Sequence, residues 1–283
     1  MKYIVYGEVI WDVYPDGEVI GGAPFNFSAH LAHLGDEVYL ISAVGKDELG
    51  DRAFEEMKKH GTKTDLVKIN NFTTGKCEVT LDSNGVPSYN VLKNTSYDNI
   101  MLSEAEKESL IGDVFYFNTL IQRNETSKNT LLSILEKCSF PEIFCDINLR
   151  KDCFDKDSLK LCLEKSTIVK ISDEEGHFLE EMELIPKNET PFAERVLNTF
   201  PNLKQVVYTL GKNGSEVFDR KTATLYKSGL PPKVEVVSTV GAGDCFGATY
   251  IHYIMQGASV EEAIKQATLR SNIVVAHKEA IPF

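Results

Sequence analysis

Short runs of hydrophobic, often β-branched residues alternate along most of the chain with longer amphipathic segments. This alternation is typical of strand and helix units that build a largely parallel sheet. We therefore predict an α/β fold with a mostly parallel central sheet that is covered by helices on both faces. The predicted strands are residues 3–6, 38–44, 114–118, 143–146, 168–172 and 205–210.

The segments between these strands carry helix signals. Residues 53–60 form an amphipathic pattern preceded by acidic residues, and Ser103-Glu104-Ala105-Glu106 is a Ser-x-x-Glu capping box. A hairpin is predicted over residues 215–227, turning at 219–221.

Two stretches, residues 11–20 and 76–93, break the alternation. In the second, strand-like runs at 77–82 and 88–92 flank the turn signal at 83–87. Strands inserted early in such a chain can form a small lid over the carboxyl edge of the sheet, where α/β folds bind ligands. The length suits one large domain or two modest ones. We predict one domain over 1–283, with 11–20 and 76–93 as β-lid insertions.

Composition excludes several classes of protein. The chain has 42% hydrophobic and 25% charged residues, which argues against disorder. Its formal net charge of −12 makes nucleic acid and membrane partners unfavourable. The six cysteines form no C-x-x-C pair, and the N-terminus has no long hydrophobic segment. We expect reduced thiols and a cytoplasmic location.

The most informative segment is residues 236–248. Its β-branched residues predict a strand, followed by the turn Gly241-Ala242-Gly243 and a helix that runs to about Met255. The N–H groups of a first helical turn suit a phosphate or a developing negative charge. Asp244 in that turn could accept a hydroxyl proton while the N–H groups hold the phosphoryl group. The alternative is that Asp244 only caps the helix.

Two other glycine-rich motifs do not fit this segment. A dinucleotide-binding fingerprint requires a glycine three residues after the second one, whereas Gly241 and Gly243 are followed by Gly247. No Gly-Lys pair in the chain precedes Ser or Thr, so a P-loop is also absent.

A second cluster begins at Gly21-Gly22. Pro24 fits the first turn of a helix, and Gly35 fits its end. The two glycines would bring bare backbone to a pocket, and the Asn26 amide offers a donor and an acceptor, as a polyol requires. The alternative is a turn that serves packing alone.

Together these residues resemble the ribokinase-like (PfkB) carbohydrate kinase family. The Gly-Gly-x-x-x-Asn helix and the Thr-x-Gly-Ala-Gly-Asp segment from Thr239 to Asp244 carry the resemblance. It implies a ribokinase-like three-layer fold with a small β lid. It also implies that Asp244 is the general base, that the backbone of Gly241, Ala242 and Gly243 forms the anion hole, and that Gly21, Gly22 and Asn26 hold a sugar.

Further residues follow from the same resemblance. Residues 7–12 are similar to the opening of fructokinases, which implies that Asp12 accepts hydrogen bonds from sugar hydroxyls. The segment 146–150 resembles an Asp-x-Asn-x-Arg motif at a strand end, which places Asn148 and Arg150 near the transferring phosphate or the sugar. Glu175 would help to organise Mg²⁺, although Ser172 stands where the family has asparagine.

Nucleotide contacts are implied at two places. The segment containing Thr209, Gly211, Lys212 and Gly214 resembles the strand and turn beside ATP, and Asn272 resembles an asparagine near adenine. The family usually has aspartate before Thr239, where it helps to hold a monovalent cation. This chain has Ser238 there, so activation by K⁺ stays open.

The resemblance implies an ATP-dependent, Mg²⁺-assisted sugar kinase that phosphorylates a primary hydroxyl group. Fructose is the preferred acceptor because residues 7–12, 21–26, 116–123 and 146–150 are fructokinase-like. Ribose, 2-keto-3-deoxygluconate and nucleosides are alternatives. An inactive sugar or nucleotide sensor with the same fold is the alternative from another functional class. The sequence of such a sensor would lack the base or the anion hole, whereas Asp244, Gly241 and Gly243 are present here. An exposed lid strand would favour a homodimer.

Overall fold

The computed structural model describes residues 1–14, 17–81 and 87–283 of the 283-residue chain. The strands are β1 (Lys2–Tyr6), β2 (Ile10–Tyr14), β3 (Gly17–Gly21), β4 (Glu37–Gly45), β5 (Val67–Asn70), β6 (Gly75–Leu81), β7 (Pro87–Val91), β8 (Val114–Asn118), β9 (Glu142–Asp146), β10 (Ile168–Ser172), β11 (Gln205–Thr209), β12 (Ser215–Asp219) and β13 (Thr224–Lys227). The helices are α1 (Ala23–His33), α2 (Glu48–Lys59), α3 (Glu104–Glu108), α4 (Glu125–Lys137), α5 (Lys156–Lys165), α6 (Asp173–Glu181), α7 (Phe192–Thr199), α8 (Ala242–Met255) and α9 (Val260–Val275).

Within the described residues, nine strands form a large sheet in the order β13-β12-β11-β10-β9-β8-β1-β4-β5. The pairs from β11 to β5 are parallel, and only the pairs that include β12 or β13 are antiparallel. Alternate residues face opposite sides of such a sheet. On β1, Ile4 and Tyr6 pack in a core with α4 to α7, while Tyr3 and Val5 pack in a core with α1, α2, α8 and α9. The predicted three-layer α/β fold is confirmed.

The six predicted strands are present, each to within one residue of its predicted ends. The capping box at Ser103 and the hairpin formed by β12 and β13 are confirmed as well. Helix α2 begins at Glu48 rather than at residue 53, because the Asp47 side chain accepts a hydrogen bond from the Gly50 N–H at 2.9 Å and so caps the helix earlier. The edge strand β5 was not predicted.

The predicted strand at 236–240 is wrong. These residues form no strand, and the side chains of Val236 and Val237 are 62% and 50% exposed. The N–H groups of Val237 and Ser238 donate instead to the Val275 carbonyl at the end of α9. A β-branched run forms a strand only where it pairs with another strand, and the backbone of this run bonds to the end of a helix instead.

A second, four-stranded sheet has the order β3-β2-β6-β7 and contains strands from both of the stretches that break the alternation. Of the predicted turn at 83–87, residues 83–86 lie outside the described residues, and Pro87 begins β7. This small sheet follows directly from β1 and is attached to α2. The Trp11 indole N–H donates to the Leu49 carbonyl at 3.0 Å, and Arg52 lies over the Trp11 ring and pairs with Glu18.

No helix among the described residues has both the length and the apolar character that a membrane span requires. The six cysteines are free thiols in the structure, in agreement with the expectation from their spacing.

The chain that leaves the small sheet is fastened by a buried ion pair. The Arg123 guanidinium donates to both carboxylate oxygens of Asp98, at 2.7 and 2.8 Å, and to the Leu92 carbonyl at 2.6 Å. Because both side chains are buried, removal of the carboxylate leaves an uncompensated cation. We expect Asp98→Ala to lower the free energy of unfolding by about 3–5 kcal/mol, as measured by urea denaturation.

The matched control is Glu18→Ala, which removes the acid of the exposed pair with Arg52. Surface ion pairs contribute little, so we expect a loss of less than about 1 kcal/mol. Equal losses in the two variants would show that the Asp98 pair does not fasten this part of the chain.

Candidate active site

Polar residues gather where the parallel strands of the large sheet end. Glu8 follows β1, and Asn118, Asp146, Ser172 and Thr209 are the last residues of β8, β9, β10 and β11. Because these strands are parallel and adjacent, their carboxyl ends meet at one edge. Such an edge is where open α/β sheets bind ligands.

Helix α8 begins at this edge with the predicted glycine turn. Gly241 is the N-cap residue and has a φ angle of 77°, and a Cβ atom there would lie only 2.5 Å from the Ala280 Cβ. The Ala242 N–H donates to the Thr239 carbonyl at 3.3 Å and closes the turn. The N–H groups of Gly243 and Asp244 follow in the first helical turn, where no carbonyl lies one turn earlier within the helix. This end of α8 is therefore electropositive.

The Asp244 carboxylate contacts the other predicted motif. The Asn26 amide of α1 donates to Asp244 Oδ2 at 2.8 Å, across 218 positions of sequence. Asn26 is buried, and its Oδ1 atom has no partner among the described residues. Burial raises the pKa of Asp244, while the Asn26 bond and the charges of Lys170 and Arg150 oppose that rise. The structure thus brings together a half-buried carboxylate, a helix N-terminus and an amide oxygen without a partner among the described residues.

The other residues predicted to bind sugar lie around the start of α1. Gly22 has a φ angle of 101°, and a Cβ atom there would be 2.7 Å from the Glu8 carbonyl. At Gly21 a Cβ atom would lie 3.5 Å from Asp12 Oδ2. Burial raises the pKa of Asp12 to about 6, and the charge of Arg150 opposes that rise. Arg150 itself is exposed, and its guanidinium donates to the Leu149 carbonyl at 3.1 Å.

Two residues that the sequence did not assign shape this region. The Glu8 side chain is buried and accepts hydrogen bonds from the Asn118 amide, at 3.0 Å to each oxygen, and from the Ala23 N–H at 3.2 Å. Glu8 therefore fixes the start of α1 against the end of β8. Burial raises the pKa of Glu8, and the Asn118 bonds oppose the rise. The hydrogen-bond partners of a buried acid cannot be read from local sequence.

A buried ion pair links the neighbouring strands β9 and β10 near this edge. The Lys170 ammonium of β10 donates to both carboxylate oxygens of Asp146 on β9, at 2.9 Å each. Neither residue was predicted as part of the site. The signal was present, however, because Lys170 is a charged residue inside a strand of a sheet that is covered on both faces, where a hydrophobic residue is the norm.

Glu175 joins two strand ends through backbone contacts. Its carboxylate accepts from the Ser172 N–H at 2.8 Å, which caps α6, and from the Leu149 N–H at 2.8 Å. Asn148 has a φ angle of 41°, and its buried side-chain nitrogen has no partner among the described residues. Ser172, which stands where asparagine was expected, is the N-cap residue of α6.

The residues predicted to bind a nucleotide lie further along this edge. Thr209 is the register neighbour of Ser172. Gly211, with a φ angle of 54°, opens a short turn that includes the exposed Lys212, and the Gly214 carbonyl accepts from the Leu210 N–H at 2.8 Å.

Asn272 lies on α9 and donates to the Pro232 carbonyl at 2.7 Å. This bond holds the segment that follows β13 against the helix. Thr268, one turn earlier on α9, lines a cavity of about 300 Å³ together with Leu230, Pro232 and Ile264. The structure therefore places Asn272 beside a partly apolar cavity, where its side chain bonds to backbone.

The chain is similar to known proteins along most of its length. A family model described as pfkB family carbohydrate kinase matches residues 4–283. The chain is 28% identical to the probable chloroplastic fructokinase-6 of Arabidopsis thaliana over 282 residues, covering 93% of this chain and 71% of that protein.

Two solved structures show the same fold. One is a fructokinase from Vibrio cholerae in its fructose, ADP and calcium ion bound form, with a TM-score of 0.82, 19% identity and coverage of 99% of this chain and 94% of that one. The other is an aminoimidazole riboside kinase from Salmonella enterica complexed with aminoimidazole riboside and an ATP analogue, with a TM-score of 0.79, 17% identity and coverage of 100% and 96%.

Proposed function

The chain belongs to the pfkB family of carbohydrate kinases, and on that premise we propose that it transfers the γ-phosphoryl group of ATP to a primary hydroxyl group of fructose. The observation that carries the proposal is the 2.8 Å bond between Asn26 and Asp244. It joins the starts of α1 and α8, so that the carboxylate lies at the electropositive end of a helix. A sugar hydroxyl and a phosphate would meet there.

The chemistry follows from this placement. Asp244 accepts the proton of the sugar hydroxyl, whose oxygen then bonds to the γ-phosphorus while the bond to the bridging oxygen of ADP breaks. The N–H groups of Gly241 and Gly243 stabilise the charge on the transferring group, while that of Ala242 closes the turn on the Thr239 carbonyl. Because burial raises the pKa of Asp244, its carboxylate is a stronger base than that of an exposed aspartate.

The sugar would be held by the groups around the start of α1. Asn26 Oδ1 is free to accept from a hydroxyl, and Asp12 adds a second acceptor. Gly21 leaves space beside Asp12 that a larger side chain would fill, Gly22 permits the close approach to the Glu8 carbonyl at the start of α1, and Arg150 supplies a cation. The preference for fructose rests on the fructokinase names of the relatives, including the Vibrio cholerae protein that binds fructose.

ATP would extend from α8 along Thr209, Gly211, Lys212 and Gly214, with adenine near Asn272. The oxygen donors of the site suit Mg²⁺, a hard cation. Among the described residues, no three His, Cys, Asp or Glu side chains are grouped to hold a metal ion. Mg²⁺ would therefore be held chiefly by the nucleotide phosphates, with Glu175 reaching it through water. When bound, it neutralises charge on the phosphates.

The small sheet would act as a lid. It follows directly from β1 at the edge that carries Asp244 and includes Asp12, a proposed sugar ligand. Closure of such a lid excludes water, which would otherwise compete with the sugar for the phosphoryl group.

A coupled assay of ADP release tests this function. Fructose, ribose, 2-keto-3-deoxygluconate and nucleosides are compared at saturating Mg-ATP, and we expect the highest kcat/KM for fructose. Turnover with ribose but not with fructose would contradict the substrate and leave the kinase chemistry intact. Sugar binding without any ADP release would identify a sensor and overturn the proposal.

The pKa of Asp12 gives a test of the sugar site. Because burial raises this pKa from 3.8 to about 6, Asp12 is mostly protonated below pH 6 and ionised above it. The ionised carboxylate is the better acceptor for two hydroxyls. We therefore expect the affinity for fructose, measured by calorimetry without nucleotide, to rise several-fold between pH 5 and pH 7, with a midpoint near pH 6.

Two variants check the assignment. Asp12→Asn should remove this pH dependence, and Arg150→Met should move the midpoint to higher pH because it removes the cation that favours the carboxylate. An unchanged pH profile in Asp12→Asn would show that another group titrates.

The raised pKa of Asp12 also affects stability. Because this pKa is higher in the folded chain than in the unfolded one, ionisation of Asp12 lowers the free energy of unfolding as the pH rises from 3.8 to about 6.

A further inference from the structure

The buried pair of Lys170 and Asp146 lies beside the proposed catalytic centre without a role in the chemistry described above. Lys170 is 5% exposed and Asp146 is 1% exposed, and the two residues are register neighbours on β10 and β9. Both carboxylate oxygens lie 2.9 Å from the ammonium nitrogen. The ammonium is thus held in one position by rigid strands.

The Lys170 side chain packs against two glycines of α8. A Cβ atom on Gly243 would lie 3.3 Å from Lys170 Nζ, and one on Gly247 would lie 3.4 Å from Lys170 Cδ. Residues four apart lie on the same face of a helix. The lysine stem therefore runs along a groove that these two glycines form, and its charge ends beneath the first turn of α8.

The charges around Asp244 show why a cation matters here. The groups of the surrounding elements that interact with it electrostatically or by hydrogen bonding are Asn26, Arg150, Lys170, Glu175, the further acids Asp146 and Glu8, the Tyr116 phenol and the Cys245 thiol. Acids predominate, and only Lys170 and Arg150 are positive. Because Arg150 is exposed, Lys170 is the one buried cation in this set.

Lys170 keeps its charge. Burial alone lowers the pKa of a lysine, but Asp146 and Glu175 outweigh that effect, and the pKa of Lys170 lies above its ordinary value. A buried ion pair is weak evidence for stability, because apolar residues of similar volume often serve a fold as well or better. Stability therefore does not explain why a lysine occupies this position, and we look to the place of its ammonium beside the site.

We propose that Lys170 is a positioning residue for phosphoryl transfer, whose ammonium, held by Asp146 beneath Gly243, stabilises the ionised carboxylate of Asp244 and adds positive potential to the first turn of α8. This inference rests on the proposed kinase function. Lys170 acts through Asp244 and the helix turn and need not touch the substrates. A fixed charge in a buried site acts strongly because little water screens it.

The test compares Lys170→Met with a double variant, Lys170→Met/Asp146→Asn. We expect Lys170→Met to lower kcat by about 10²-fold, the effect of removing one preorganised electrostatic group, with the KM values for fructose and ATP within about threefold of wild type. The acid limb of the kcat profile should move to higher pH, because Asp244 loses a group that favours its ionised form. A purely structural role would not move that limb.

The double variant separates chemistry from stability. Lys170→Met alone leaves Asp146 buried without a partner and should lower Tm, whereas the added Asp146→Asn replaces that carboxylate with a neutral amide and should recover much of the Tm. We expect kcat to stay low in the double variant. Recovery of kcat together with Tm would overturn the inference.

Lys107→Met is the matched control. Lys107 is also buried, at 8% exposure, and pairs with Glu104 at 2.6 Å, but it lies on α3 away from the site. Lys107→Met should change Tm and leave the pH profile of kcat unchanged.

Asp244→Asn distinguishes the proposed kinase function from the proposal about Lys170. If it remains fully active, the kinase mechanism fails. If it is inactive while Lys170→Met has the wild-type kcat and pH profile, only the inference about Lys170 fails.

Discussion

Replacement of Asp244 by asparagine is expected to lower kcat by roughly 10³-fold or more, the upper range for loss of a general base. An amide cannot take the proton of the sugar hydroxyl, but its oxygen can still accept the bond from Asn26 that is 2.8 Å long in the structure. The site should therefore keep its shape. We expect fructose affinity measured by calorimetry to stay within a few-fold of wild type, while coupled ADP release falls.

A matched control is Asp51→Asn, which alters an exposed acid in the first turn of α2. It makes the same chemical change at the same kind of helix position, and it should leave kcat within about twofold, since exposed helix-dipole contributions are small. Phosphorylation of sugar by Asp244→Asn at the wild-type rate would contradict the assignment of the base.

The second large effect is expected for Gly241→Ala. The φ angle of 77° is unfavourable for alanine, and the new Cβ atom would lie 2.5 Å from the Ala280 Cβ, so the turn before α8 must move. The N–H groups of that turn would then point away from the phosphoryl group. Because removal of one such donor costs about 10²–10³-fold in kcat in other enzymes, we expect a fall of about 10²-fold in kcat.

Gly257→Ala provides the control for backbone strain. Gly257 follows the other end of α8 with a φ angle of 82°, and a Cβ atom there meets nothing within 4 Å. Alanine in this conformation costs about 1–2 kcal/mol. We expect Gly257→Ala to lower Tm modestly and to keep the wild-type kcat. A similar fall of kcat in both variants would show that strain in α8, and not the displaced turn, causes the loss.

Short-range features explain what could be predicted. The alternation of hydrophobic runs with amphipathic segments predicted the α/β fold and its central strands. Local signals also predicted the start of α1 at Pro24, the capping box at Ser103 and the position of Asp244 in the first turn of α8. Each of these depends on residues only a few positions apart, because side-chain periodicity and helix capping are local.

One of the two failures involves a partner that is distant in sequence. Val236 and Val237 have the composition of a strand, but they pair with no strand, and the N–H groups of Val237 and Ser238 donate to Val275 of α9 instead. The start of α2 was misplaced because its cap, Asp47, lay outside the amphipathic pattern used to predict the helix.

The site itself divides in the same way. The sequence by itself determined the glycine turns, the carboxylate of Asp244 and the amide of Asn26, because each is a property of one short segment. The tertiary structure alone decided that these groups touch, that Glu8 bonds to Asn118, and that the Lys170 ammonium lies on Asp146 beneath Gly243. These contacts depend on which strands end side by side in the sheet, and that order is set by packing of the whole chain.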